Sequence, residues 1–345
     1  MRTILLNNGK TIGDNCTPYI IAEMNSSHNG NIETAKRMID AAKDCGCDCV
    51  KFQSWSAESL YSDQYYVENP ISKRIVKKFS LNQEQLKELV EYCRKVGIDF
   101  SSTPYSNTEV DFLADEASVP FIKIASMEIN NIPFLKYIAN KGVPMILSTG
   151  MANEKEIKDA VRAIESTGNK QLCILHCVSV YPAKADIINL NNIKFLRDTF
   201  VDYPIGYSDH TIGYEVAAAS IALGASVVEK HFTLDNTKMG MDNNMATEPE
   251  QMGELVRACH NVSSAMGYYE RILDKYEIEM QSKMRRSLVT TRDLKAGEVI
   301  QLADIEAKRP GDGISPADID FVVSKALKRD VEKGYQLKLE YFEED

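Results

Sequence analysis

A short β-branched run, a polar loop and a helical stretch with apolar residues every three or four positions recur eight times along this chain. The strand-like runs are Tyr19–Glu23, Cys49–Gln53, Ile98–Ser101, Phe121–Ile124, Met145–Ser148, Leu172–His176, Pro204–Tyr207 and Ser226–Glu229. The first helical stripe is Ile32, Ala35, Met38, Ile39 and Ala42. The second follows a long insertion and reads Leu86, Leu89, Val90 and Cys93. Further helices are expected near 108–116, 131–141, 153–167, 189–200, 213–223 and 248–267. Strictly alternating units with buried strands imply a parallel sheet, and eight of them imply a closed α/β barrel of the (β/α)8, or TIM, type. No Gly-x-Gly-x-x-Gly follows any strand, which counts against an open doubly wound sheet.

The chain is longer than one such barrel. Residues 1–17 hold two turn signals, Asn7-Asn8-Gly9 and Gly13-Asp14-Asn15, between short apolar runs, and are expected to form an N-terminal β-hairpin plugging the barrel mouth. From residue 283 the character changes to short segments punctuated by Gly and Pro. The expected division is a barrel over 1–282 and a compact, mostly β module over 283–345. A module that small leans on the barrel or on a second subunit.

Composition excludes several classes of partner. Forty basic and fifty acidic side chains leave a formal charge of −10, a poor surface for nucleic acid or an anionic membrane, though not for one small anion. No apolar run is long enough to span a bilayer, and the N-terminus does not read as a signal peptide. Eight cysteines without an export signal read as reduced thiols in the cytoplasm.

In a (β/α)8 barrel, chemistry collects at the C-terminal ends of the strands. Those positions are unusually polar here: Glu23, Lys51, Gln53, Thr103, Lys123, Ser126, Glu128, Ser148, Ser179, Tyr181, His210, Glu229 and His231, with Asp242 beyond. His210 and His231 end consecutive strands, and with Gln53 or an acid beside them can hold a divalent metal. Lys51 and Lys123, with the hydroxyls of Ser126, Ser148 and Thr149, suit a phosphate or carboxylate; the competing reading is a lysine paired with Glu229. Glu23, Glu128 and Asp242 are candidate general acids or bases.

Several motifs then resemble one family, the phosphoenolpyruvate-dependent nonulosonate (sialic, legionaminic and pseudaminic acid) synthases. They are Ile21-Ala22-Glu23 with His28-Asn29-Gly30, Val50-Lys51-Phe52-Gln53, Ser102-Thr103-Pro104, Lys123-Ile124-Ala125-Ser126, Leu147-Ser148-Thr149-Gly150-Met151, Tyr181-Pro182, Gly206-Tyr207-Ser208-Asp209-His210-Thr211 and Glu229-Lys230-His231-Phe232. Lys308-Arg309-Pro310-Gly311-Asp312-Gly313 resembles the SAF (antifreeze-like) domain that these synthases append.

The resemblance implies an enzyme that condenses phosphoenolpyruvate with an N-acylated hexosamine, giving a nine-carbon nonulosonic acid and phosphate. It implies manganese or magnesium at His210, His231 and Gln53. Phosphoenolpyruvate would lie among Lys51, Thr103, Lys123, Ser126, Ser148, Ser179 and Tyr181, with Glu23, Glu128, Asp242 and His231 catalytic. It further implies a domain-swapped homodimer in which Arg309 reaches the partner's sugar. Two loops depart from the family pattern. Met24-Asn25-Ser26-Ser27-His28 stands where an Ile-Gly-Ile-Asn-His-like run is usual, and Gly240-Met241-Asp242-Asn243-Asn244 where Gly-Pro-Asp-His is. The alternatives are a related 3-deoxy-ulosonate synthase using a phosphorylated aldose, and a non-catalytic carbohydrate-binding protein.

Overall fold

The protein is described by a computed structural model over residues 2–342. It divides into two compact units, 1–267 and 268–345.

The first unit opens with a hairpin, β1 (Thr3–Leu5) against β2 (Thr11–Gly13). The eight parallel strands follow: β3 (Tyr19–Glu23), β4 (Cys49–Gln53), β5 (Asp99–Thr103), β6 (Ile122–Ile124), β7 (Met145–Ser148), β8 (Leu172–Cys177), β9 (Ile205–Asp209) and β10 (Val227–His231). Their order, β5-β4-β3-β10-β9-β8-β7-β6, joins first strand to eighth, with Glu229 opposite Ile21 and His231 opposite Glu23. At the β5/β6 seam, Ser101 Oγ donates to the Phe121 carbonyl at 2.8 Å. The (β/α)8 expectation is met.

Strand alternation then decides which side chains enter the barrel. Positions 20, 50, 122, 147, 174 and 228 point outward into the large apolar layer beneath the helices. Tyr19, Ile21, Cys49, Phe121, Ile146, Cys173, Leu175 and Val227 point inward and form a second, inner cluster. Ile4, Leu6 and Ile12 of the hairpin complete that cluster, so the hairpin does plug this end. Continuing inward at every second residue brings Glu23, Lys51, Gln53, Lys123, Ser148, Glu229 and His231 to the opposite mouth. Lys230 takes the outward phase. It pairs with Asp209 at 2.7 Å, both fully buried, so it braces the wall behind the site.

The helices are fixed by local signals. Asn153 and Glu156 cap one another reciprocally at the start of the helix Glu154–Glu165. Gly97, at φ 77°, ends the helix Gln83–Val96 in the left-handed conformation that glycine adopts without penalty. The long insertion after β4 has structure of its own: three short helices, Ala57–Leu60, Asp63–Glu68 and Pro70–Phe79, fold around Trp55, Tyr66, Val76 and Phe79.

The second unit contains the helix Lys275–Met284 and the antiparallel pair β11 (Ser287–Thr290) and β12 (Ile305–Lys308). Isolated bridges such as Leu294–Val331 and Leu327–Phe342 knit the rest around Leu288, Ile300, Val322 and Leu337. It starts before residue 283 because that helix, whose residues are all at least partly exposed, is part of it. The eight cysteines are free thiols, and no helix among the described residues is long and apolar enough to cross a membrane.

Candidate active site

At the C-terminal mouth of the barrel lies a cavity of about 320 Å³. Lys51, Lys123, Glu23 and Glu229 form its floor, contributed by β4, β6, β3 and β10. Lys51 Nζ pairs closely with Glu23, lies 3.5 Å from Glu229 Oε2 and reaches Thr103 Oγ1 at 3.2 Å. Lys123 Nζ donates to Ser148 Oγ at 2.7 Å and stands 3.6 Å from Glu229 Oε1. Ser208 Oγ donates to the same Glu229 oxygen at 2.9 Å. The lysines thus face the cavity and are at the same time paired with acids, Lys51 with Glu23 and Glu229 and Lys123 with Glu229.

The electrostatics follow from burial and crowding. Burial alone would raise the Glu229 carboxyl, but Lys123 and Lys51 pull it down to about 2. Burial lowers Lys51 to about 8 despite Glu229, and the Lys123 charge adds to the fall. Glu23 Oε2 and Glu229 Oε2 accept no aligned hydrogen bond and face Lys51 only as an ion pair. Two ammonium groups against two carboxylates leave a floor close to neutral.

Beside the floor stand His210 and His231, ring centroids 5.3 Å apart. His210 Nδ1 bonds the Val178 carbonyl at 2.8 Å, and the ring also meets the Cys177 thiol. Burial holds His231 well below the ordinary imidazole value, and the neighbouring His210 and Lys51 charges push the same way. Burial would also lower His210, but the Cys177 thiol and the Val178 carbonyl raise it. Tyr181 packs on His210 at 4.2 Å. Gln53 donates to Glu23 Oε1 at 3.1 Å and accepts a close hydrogen bond from Tyr105. Among the described residues no three His, Cys, Asp or Glu gather as a metal site, so the nitrogen donors are this histidine pair.

Other expected residues divide. Ser126, Ser148, Ser179 and Asp242 line the cavity. Gly150 lets the chain pass close to two of the serines: its N–H donates to Ser126 Oγ at 3.0 Å, and a Cβ there would sit 2.2 Å from Ser179 Oγ. Glu128 is not among the lining residues; its carboxylate accepts from Asn131 Nδ2 at 2.7 Å. Arg309 is an exposed residue of the second unit.

Residues without an assigned role in the sequence reading also line this cavity: Asn25, Trp55, Tyr105, Cys177, Ser208 and Met241. Ser208 was recoverable from alternation, two positions before His210, and Glu229, two before His231, is the lysine partner that the sequence offered. Met241 and Trp55 carried no signal, because loops and insertions place them.

Comparison with known proteins agrees with this architecture. The NeuB family profile matches residues 38–271, and the SAF domain profile matches residues 285–342. The N,N'-diacetyllegionaminic acid synthase of Legionella pneumophila is 35% identical over 351 residues, covering 98% of each chain. The N-acetylneuraminate-9-phosphate synthase of Mus musculus is 34% identical over 335 residues, covering 94% of this chain and 92% of that one. The crystal structure of N-acetylneuraminic acid (sialic acid) synthetase from Leptospira borgpetersenii in complex with citrate superposes with a TM-score of 0.75 at 34% identity, covering 81% of this chain and 95% of that one. With the first profile spanning more than half of the chain, this protein belongs to the NeuB family and carries a SAF domain after its barrel.

Proposed function

We propose that the protein is a phosphoenolpyruvate-dependent transferase. It condenses the donor with the open-chain aldehyde of an N-acylated hexosamine to give a nonulosonic acid and phosphate. The supporting observation is the buried lattice of Lys51 and Lys123 with Glu23 and Glu229, set beside His210 and His231 at the functional end of the barrel. A carbohydrate-binding module has no use for such a lattice, because burying four charges is costly unless they act.

The donor's phosphate and carboxylate fit the Lys51 and Lys123 ammonium groups and the hydroxyls of Thr103, Ser126, Ser148, Ser179 and Tyr181. Because the floor is near neutral, extra positive charge is needed for so anionic a substrate. The chain's donor set fits a divalent cation. Burial favours the neutral form of His231, and His210 and Gln53 line the same cavity, the Gln53 amide oxygen keeping a second lone pair beside its bond from Tyr105. When bound, manganese or magnesium would supply Lewis acidity toward the aldehyde oxygen.

The donor's C3 attacks the aldehyde carbon, a water adds at C2, and phosphate departs by C–O cleavage. Glu23, buried beside Lys51, serves the enol end as acid or base. Asp242, whose carboxyl burial raises against the lowering hydrogen bond from Asn25, would exchange a proton with the new alkoxide. Glu128 would grip a sugar hydroxyl only by turning away from Asn131. In a domain-swapped homodimer, Arg309 would reach the acyl group of the partner's acceptor. Incubation with phosphoenolpyruvate, manganese and N-acylated hexosamines tests the reading: acceptor-dependent phosphate release and a 3-deoxy-2-keto acid are expected, and absence of both with every acceptor contradicts it.

A further inference from the structure

The loops after β3 and β10 are locked together over one side of the cavity. Ser26 Oγ donates to the Met241 carbonyl at 3.1 Å and accepts the Met241 N–H at 2.9 Å. Beside it, Asn25 Nδ2 donates to Asp242 Oδ2 at 2.8 Å, and the Asn25 N–H donates to Glu23 Oε1 at 2.8 Å. Asn25 thus ties one carboxylate of the floor to one of the rim. Both Asn25 and Asp242 have positive φ, 38° and 57°, so each loop is held in a conformation that asparagine and aspartate tolerate. Ser26 is completely buried and touches no ligand space, so its part is to position Met241.

Met241 also packs against the small apolar core of the insertion after β4. The result is a wall in which Trp55, Leu60, Tyr61 and Met241 face the cavity together. Tyr61 is stacked on Tyr65 with centroids 4.4 Å apart, which stiffens this edge. The wall is apolar with one amide and one carboxylate. Among the described lining residues there is no arginine, and the two lysines are already engaged with Glu23 and Glu229 on the floor.

We propose that this wall is the acceptor subsite and selects an uncharged amino sugar carrying apolar N-acyl and methyl groups over a phosphorylated one. The inference rests on the condensation proposed above. Acyl and C6 methyl groups gain by leaving water against Trp55, Leu60, Tyr61 and Met241. An acceptor phosphate would place a second dianion near the donor's with no further cation from this barrel to meet it.

The test compares kcat/KM in the full-length protein for 2,4-diacetamido-2,4,6-trideoxymannose, N-acetylmannosamine and N-acetylmannosamine 6-phosphate, with phosphoenolpyruvate and manganese. The expected preference is for the first, by about 10-fold or more over the 6-phosphate. Ser26→Ala, which leaves the Met241 backbone unpaired, is expected to raise KM for the preferred acceptor about 10-fold with KM for phosphoenolpyruvate unchanged. Ser26→Thr keeps the hydroxyl and should restore it. Met241→Lys is expected to move the preference toward the 6-phosphate. Turnover of the 6-phosphate as well as the diacetamido sugar overturns the subsite, as does an equal rise of both KM values in a folded Ser26→Ala. No turnover of any acceptor overturns the condensation instead.

Discussion

Lys123 and Glu229 face each other at 3.6 Å from adjacent positions on the cavity floor, both almost wholly buried. The pair is a charged floor in which each partner makes the other tolerable. Lys123→Met leaves Glu229 with Lys51 alone and is expected to cost about 3 kcal/mol in denaturant unfolding. Adding Glu229→Gln should return part of that loss, because the stranded carboxylate is then gone. Equal or greater loss in the double variant would show that the two do not compensate each other.

Gly150→Ala tests the cradle of hydroxyls. The new Cβ would meet Ser179 Oγ at 2.2 Å and Ser126 Oγ at 2.8 Å, and those side chains can move aside only by leaving their places. KM for phosphoenolpyruvate is expected to rise about 10-fold, from disturbed hydrogen bonds to an anion, with little change in melting temperature. An unchanged KM would remove Ser126 and Ser179 from the donor site.

His28 supplies a pH dependence of stability. Burial against Phe52 lowers its imidazole to about 4, and its Nδ1 accepts the Gly30 N–H at 3.1 Å, a bond that protonation abolishes. With the folded value below the unfolded one, the unfolded chain binds the proton first. Stability is therefore full above pH ~6.5 and falls as pH drops from there toward 4. The loss is expected to reach a few kcal/mol. A His28→Asn variant should lose this part of the slope; identical pH profiles for the two proteins would count against the assignment.

Arg309 can be tested by complementation. In a domain-swapped dimer, mixing inactive Arg309→Ala chains with inactive His231→Ala chains creates heterodimers in which one site has an intact barrel and an intact arginine. About a quarter of wild-type activity per chain is expected after subunit exchange. No recovery in mixtures shown to contain heterodimers would place Arg309 away from the partner's site.

Much of this was legible in the sequence because a barrel strand writes its phase plainly. Once Cys49, Lys51 and Gln53 are read as one face and Val227, Glu229 and His231 as another, the floor of the cavity follows from alternation. The hairpin was legible from its turns and the histidine pair from consecutive strand ends. The hydrogen-bonded exchange between Ser26 and Met241 was not, since 215 residues separate them and only closure of β3 against β10 brings the loops together. The insertion was equally opaque: Asp63–Glu68 is too short for a clear helical period, and its exposed tyrosines are read only once stacked. Glu128 shows the reverse, an acid in the short turn after β6 whose carboxylate is turned to Asn131.

The most direct test of the account counts phosphate against keto acid in one reaction of phosphoenolpyruvate with its preferred acceptor. The expected result is one phosphate per nonulosonic acid, lost on chelation, restored by manganese and absent in a folded His231→Ala variant. Phosphate release that persists through both chelation and His231→Ala, or that proceeds without acceptor, would contradict it.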